Sequence, residues 1–229
     1  MNSTTMPEPA NSGRGDSMSV LFTRRGAPTV VSKLLSDYAE GDVVCLNENG
    51  SPVEFYVARH NYESGLNGAR RALLVRKERY GSMLSWDSGN VNKYEESDLD
   101  SWLNSSYKAL LDTAVQTAIG STAFYYLQGN AGGISTLSRS VFIPSVTEYG
   151  ITHDFGPAQG SSLPIASILA RYTEWTRSPA AYYNWVYYAH ANTGSNMDEA
   201  KTAHYVRPCF TLPSTTLFYA KTNEFMGVK

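Results

Sequence analysis

The chain has 229 residues and a mass of 25.2 kDa, enough for one large domain with a short appendage. Apolar residues at 42% exclude global disorder, while a charged fraction of only 17% alongside 16 tyrosines and 18 glycines points to a loop-rich, β-containing domain rather than a helical bundle. A net charge of −2 argues against a nucleic-acid partner, because phosphate binding needs a basic excess. Two widely separated cysteines make neither a metal centre nor a disulfide scaffold, and no apolar run approaches the length of a membrane span. Without a hydrophobic stretch at the N-terminus to act as a signal peptide, the expectation is synthesis in the cytoplasm, with any exposure outside the cell reached by another route.

Residues 1–19 lack apolar periodicity and read as a disordered leader, in which Arg14-Gly15-Asp16 is a chance triplet in a Gly/Ser-rich tail. Residues 20–40 carry Val20, Leu21, Phe22, Val30, Val31, Leu34 and Leu35 around Arg24-Arg25-Gly26, and read as an attachment or oligomerisation segment. From residue 41 to 229 we expect one domain. Val43-Val44-Cys45-Leu46 and Val53-Glu54-Phe55-Tyr56-Val57 flank an Asn49-Gly50 turn, a strong hairpin signal, with Cys45 read as a small buried hydrophobe. Ala72-Leu73-Leu74-Val75 reads as another strand. The period then changes: Ser97 caps a helix with Leu99, Trp102 and Leu103 on one face, and Asp112 caps a second that Gly120 ends. Short apolar runs follow at 124–127, 141–144, 175–177, 205–212 and 217–219, with loops at 129–133 and 153–162.

No serine sits in a nucleophile elbow, no glycine run forms a phosphate loop, and Asp98 with Asp100 is explained by charge at a helix N-terminus. His190, Asp198, Glu199 and His204 match no zinc or calcium spacing. Neither catalytic residues, nor a metal, nor a cofactor is expected.

Residues 180–205 (AAYYNWVYYAHANTGSNMDEAKTAHY) are compositionally odd. Tyr, Asn, His and Ala fill 16 of these 26 positions against 39 of the other 203, an excess no structural period explains. Tyr182-Tyr183, Trp185 and Tyr187-Tyr188 fall on both faces of any strand, so some must be exposed, and clustered exposed aromatics mark a contact surface. The plain alternative is an aromatic core strand beside a polar loop; for Trp185 alone that alternative is preferred, as the buried anchor of the segment. The candidate contact residues are Tyr182, Tyr183, Asn184, Tyr187, Tyr188, His190, Asn192, Asn196, Asp198, His204 and Tyr205. Randomising both adenines of an AAC codon gives Asn, Tyr, His, Asp, Ala, Ser, Thr and eight other residues, but never Lys, Glu, Gln, Met or Trp. The enriched types follow that rule, whereas Trp185, Met197, Glu199 and Lys201 would have to be fixed by the template.

Trp175-Thr176-Arg177-Ser178-Pro179, the Tyr/Asn-rich stretch, and Val206-Arg207-Pro208-Cys209-Phe210-Thr211-Leu212-Pro213 together resemble the variable proteins of diversity-generating retroelements. Gly41-Asp42-Val43-Val44, Asn49-Gly50-Ser51-Pro52, Leu74-Val75-Arg76-Lys77 and Asp100-Ser101-Trp102-Leu103-Asn104 resemble a domain of gut Firmicutes and their phages. The resemblance runs from about residue 30 to the C-terminus and departs at Cys209, where a smaller residue such as alanine is expected. It implies an α+β, C-type lectin-like fold with small antiparallel sheets, two helices and a loop-rich face carrying the variable region. Arg177 and Arg207 flank that region and are weighed as structural, their planar forks bonding loop carbonyls.

The function implied is recognition of a protein or glycan target on a cell surface, from a phage or prophage particle, without membrane insertion and with room for a homo-oligomer. A structural virion or tail protein, using the aromatics as a subunit contact, is the alternative. An enzyme related to the formylglycine-generating oxidases would share the architecture but needs a reactive cysteine pair, which Cys45 and Cys209 do not resemble in their surroundings.

Overall fold

A computed structural model of the chain describes residues 31–130, 132–152, 156–169, 172–191 and 194–229. The leader expected at 1–19 lies outside the described residues, as does residues 20–30 of the segment expected to serve attachment. Strand β1 (Ser32–Leu34) runs antiparallel to β13 (Thr216–Tyr219), whose other edge carries β14 (Phe225–Val228). Strands β2 (Val43–Glu48) and β3 (Ser51–His60) form the expected hairpin. Asn49 and Gly50 take φ of 52° and 73°, the left-handed pair that a two-residue turn between right-twisted strands requires. Beside β3 lies β4 (Arg71–Arg76), and β12 (Cys209–Pro213) completes a four-stranded antiparallel sheet in the order β12-β4-β3-β2. The run Leu73-Leu74-Val75 is fully buried because both faces of β4 are covered.

Short helices accompany the sheets. A single turn, α1 (Ser64–Asn67), precedes β4. After the two-residue β5 (Leu84–Ser85), helix α2 (Asp98–Trp102) starts where Ser97 accepts a hydrogen bond from the Asp100 N–H. It continues as a π turn over Leu103–Tyr107 and a 3-10 turn over Lys108–Leu110, so the expected regular helix is a series of changing pitch. Helix α3 (Thr113–Ala118) follows Asp112, whose carboxylate accepts from the Asn47 side chain instead of capping. Gly120 does not end α3; the chain already turns extended at Ile119. A Cβ at Gly120 would stand 2.7 Å from the Arg71 guanidinium, so its role is to make room.

Strands β6 (Thr122–Leu127) and β7 (Ile134–Arg139) form a ladder of which only the first was expected, since β7 is polar and outward-facing on every other residue. The run 141–144 is not a strand: only Phe142 bridges, to Cys209. A last helical turn, α4 (Ala166–Leu169), leads to the three-stranded sheet of β8 (Glu174–Pro179), β9 (Trp185–His190) and β10 (Gly194–Glu199). The two-residue β11 (Ala203–His204) pairs with β5. The arrangement is α+β, mostly small antiparallel sheets with few helices, and residues 31–229 make one unit.

Three buried glutamates tie these layers together, each holding one arginine and one tyrosine hydroxyl. Glu148 pairs with Arg177 at 2.5 Å and accepts from Tyr62. Glu174 grips Arg207 through both oxygens, at 2.5 and 2.8 Å, and accepts from Tyr149. Glu48 receives Arg76 and Tyr107 in the same way. Burial pushes all three tyrosine hydroxyls far above their ordinary pKa, so they act as fixed donors. Arg177 also donates to the carbonyls of Tyr125 and Ile143, and Arg207 to those of Arg76 and Lys77, the structural role expected of both. Cys45 is half-buried rather than buried. It lines a polar cavity of about 270 Å³ with Asn47, Asp112 and Glu224.

Candidate functional site

The hairpin of β8 and β9 turns through residues 180–184, and Tyr182 and Tyr183 stand at its tip, 63% and 59% exposed. Aromatics so far from the core would ordinarily move freely, but the turn beneath them is fixed. The Ala180 N–H donates to the Trp185 carbonyl, and the Trp185 N–H donates back to Tyr182. Fully buried Asn92 points its carboxamide nitrogen at the carbonyls of Ala180, Tyr182 and Trp185, at 3.1, 2.7 and 3.1 Å. Its oxygen accepts from the Asn130 N–H at 2.8 Å, and a Cβ at Gly129 would fall 2.2 Å from the Asn92 carbonyl. Asn92 therefore brackets the hairpin, and Gly129 permits the bracket.

The period-2 alternation of β9 sorts its aromatics. Tyr187 is only 8% exposed and packs with Val146 and Ala180, with Trp185, Ile151 and Met197 around them. The expectation that Tyr187 is a contact residue is thus corrected: it faces inward. Trp185, expected to be the buried anchor, is half-buried and lies 5.9 Å from the Tyr182 ring, so Tyr187 and Val186 are what anchor the strand.

Tyr188 points to the opposite face. It stacks on His204 at 4.5 Å, and His204 meets fully buried Trp175 edge-on at 4.4 Å. The Trp175 indole N–H donates to the Leu84 carbonyl. His204 Nε2 lies 3.0 Å from Asp198 Oδ2, while Asp198 Oδ1 accepts from Thr202 and from the Glu199 N–H. Burial lowers the His204 pKa, although Asp198 pulls the other way, and the balance favours the neutral ring. For Asp198, burial acts upward, but the bonds from Glu199, His204 and Thr202 prevail and hold its carboxyl below the usual range. His190 lies 6.3 Å from Tyr188, and exposed Asn196 pairs with Tyr188 in the β9–β10 register. Asn184 donates to Glu199 at 3.3 Å. Asn192 lies outside the described residues.

The expected residues therefore fall into two groups. One is the tyrosine tip with Asn184; the other is a half-buried cluster of Tyr188, His190, Asp198 and His204, with exposed Asn196 at its edge. Tyr205, the last of them, sits under the Arg79 guanidinium at 3.5 Å. Among the described residues no three of His, Cys, Asp and Glu stand together as a metal-holding set. The Asp98 and Asp100 pair is divided: Asp98 accepts from Ser88, and Asp100 pairs with Arg139 at 2.6 Å. Sequence reasoning missed Asn92, Arg79 and Tyr172, whose ring centroid lies 5.0 Å from the Arg79 guanidinium. None lies in the odd segment, and a single Asn or Arg in a loop carries no periodic signal.

Residues 70–214 match a family model described as Domain of unknown function (DUF6273). The match covers more than half of the chain, and the chain belongs to that family. No curated protein matches, nor does any solved structure.

Proposed function

We propose that this DUF6273 chain is a recognition protein whose segment 180–205 is the contact surface for a macromolecular target on a cell surface. The observation that carries the reading is the hairpin tip: two neighbouring tyrosines, more than half exposed, on a turn held from below by a buried carboxamide. Tyrosine suits such a surface because it offers a large rigid area and a hydroxyl at small entropic cost. Fixing the turn in advance lowers what must be ordered on binding. The finer reading proposed is a C-type lectin-like fold in a phage or prophage particle, with the Tyr/Asn/His positions diversified by a retroelement. It rests on the flanking motifs Trp175–Pro179 and Val206–Pro213, and on the enrichment of 180–205 in residue types reachable by adenine substitution.

Binding of the labelled full chain to intact Firmicute cells tests the reading. The double variant Tyr182→Ala/Tyr183→Ala should keep its fold and lose about tenfold or more in affinity, as for hot-spot aromatics. A double variant that binds the cells as well as the parent would contradict it.

A further inference from the structure

Arg79 stands out among the cations near this surface because aromatic rings hold it while its donors stay open. Its guanidinium carbon lies 3.5 Å from the Tyr205 ring centroid and 5.0 Å from that of Tyr172. Among the described residues the guanidinium has no carboxylate within ion-pair distance and no hydrogen-bond acceptor, and the Tyr172 and Tyr205 hydroxyls are likewise without partners. The backbone on both sides is anchored: the Arg79 carbonyl accepts from Arg76, and the Tyr80 N–H donates to Val206 at 2.8 Å. The Tyr205 carbonyl accepts from the Trp175 N–H at 2.8 Å. Cation–π contact leaves the N–H edge of a guanidinium free, so the clamp fixes the group without using its donors.

We propose that Arg79, with Tyr172 and Tyr205, forms a binding site for one carboxylate, supplied by an acidic side chain of a protein target. The proposal deepens the recognition reading above and rests on it. A planar fork of this kind matches a carboxylate through two parallel bonds. A phosphate dianion is a poorer match, because the second guanidinium close to Tyr172, that of Arg207 at 5.9 Å, is already neutralised by Glu174. Tyrosine and arginine together are also the residue types that dominate protein contacts.

The test uses the immobilised full chain and a displayed random-peptide library. Recovered peptides should share an Asp or Glu whose change to Asn or Gln weakens binding about tenfold against the parent chain, as for a charge-assisted pair. Against Arg79→Gln the same change should cost less than about threefold, with Arg79→Lys between the two because it keeps the charge but not the fork. Melting curves of both variants should match the parent. Equal loss on the parent and on Arg79→Gln overturns the proposal, as do peptides without a shared acid. Displacement of the peptides by a glucuronate oligosaccharide, with no acid dependence in the peptides, overturns the protein assignment in favour of an acidic glycan. Binders lost on Tyr182→Ala but indifferent to Arg79→Gln refute the Arg79 site alone. No binders, or binders indifferent to both tyrosines and Arg79, refute the contact surface as well.

Discussion

The Asn92 side chain donates to the Tyr182 carbonyl at 2.7 Å across 90 positions of sequence, joining the loop before α2 to the tip of the β8–β9 hairpin. Because Asn92 is fully buried, its nitrogen and oxygen have no water to fall back on. Every bond they make within the protein is therefore part of the stability of that turn.

Replacing Asn92 by Ala should leave the carbonyls of Ala180, Tyr182 and Trp185 short of a donor. The expected cost is about 2–3 kcal/mol in chemical denaturation. Amide exchange at 180–185 should quicken more than in the four-stranded sheet. A loss under about 0.5 kcal/mol, within the range of ordinary surface substitutions, would show that the bracket is dispensable.

Tyrosines of the same segment should divide by face. Tyr182→Ala and Tyr183→Ala should each change stability by about 0.5 kcal/mol or less. Tyr187→Ala and Trp175→Ala should cost about 3–5 kcal/mol because both side chains are packed. Urea denaturation of the four variants measures the contrast, and equal losses would mean that the tip tyrosines are core.

That division was only partly legible in the sequence. The alternation of β9 requires Tyr187 and Tyr188 to face opposite ways, but which one faces inward depends on Val146 and Ala180 on one side and on His204 and Trp175 on the other. Those contacts are set by tertiary packing, which local pattern does not carry. The β2–β3 hairpin and the Ser97 cap were legible because turn chemistry and capping act over two to four residues. Strand β7 was not, because Ile134–Arg139 is too polar to read as a strand without its partner β6. Arg177 and Arg207 were readable as structural, whereas their partners Glu148 and Glu174 were not, since ion pairs formed by long-range folding leave no spacing in the chain.

Breaking either of those pairs should be costly. Glu148→Gln leaves the Arg177 guanidinium buried without its counter-ion, and Glu174→Gln does the same for Arg207. Each should destabilise the protein by about 3–5 kcal/mol. A loss below about 1 kcal/mol in either variant would show that the arginine finds compensation elsewhere.

His204 should make stability fall on the acid side of neutrality. Its folded pKa lies below the unfolded value, chiefly through burial, so the unfolded chain takes the proton first. The contribution is complete above about pH 6.5, the ordinary histidine value, and is lost as pH falls from there through the folded pKa. Denaturation of the parent and of His204→Gln between pH 5 and 8 should show the difference between them shrinking or reversing toward pH 5. A difference that is constant with pH, or that grows in acid, would contradict the assignment.

The most direct measurement is natural variation in the gene across isolates of its source. If the 180–205 segment is a diversified contact surface, substitutions should concentrate at adenine-containing codons. The positions affected should be Tyr182, Tyr183, Asn184, Tyr188, His190 and Asn196, while Asn92, Val186, Tyr187, Ala189, Arg177 and Arg207 stay fixed. Substitutions spread evenly over the chain, or a tip as constant as the buried strand beside it, would contradict that account.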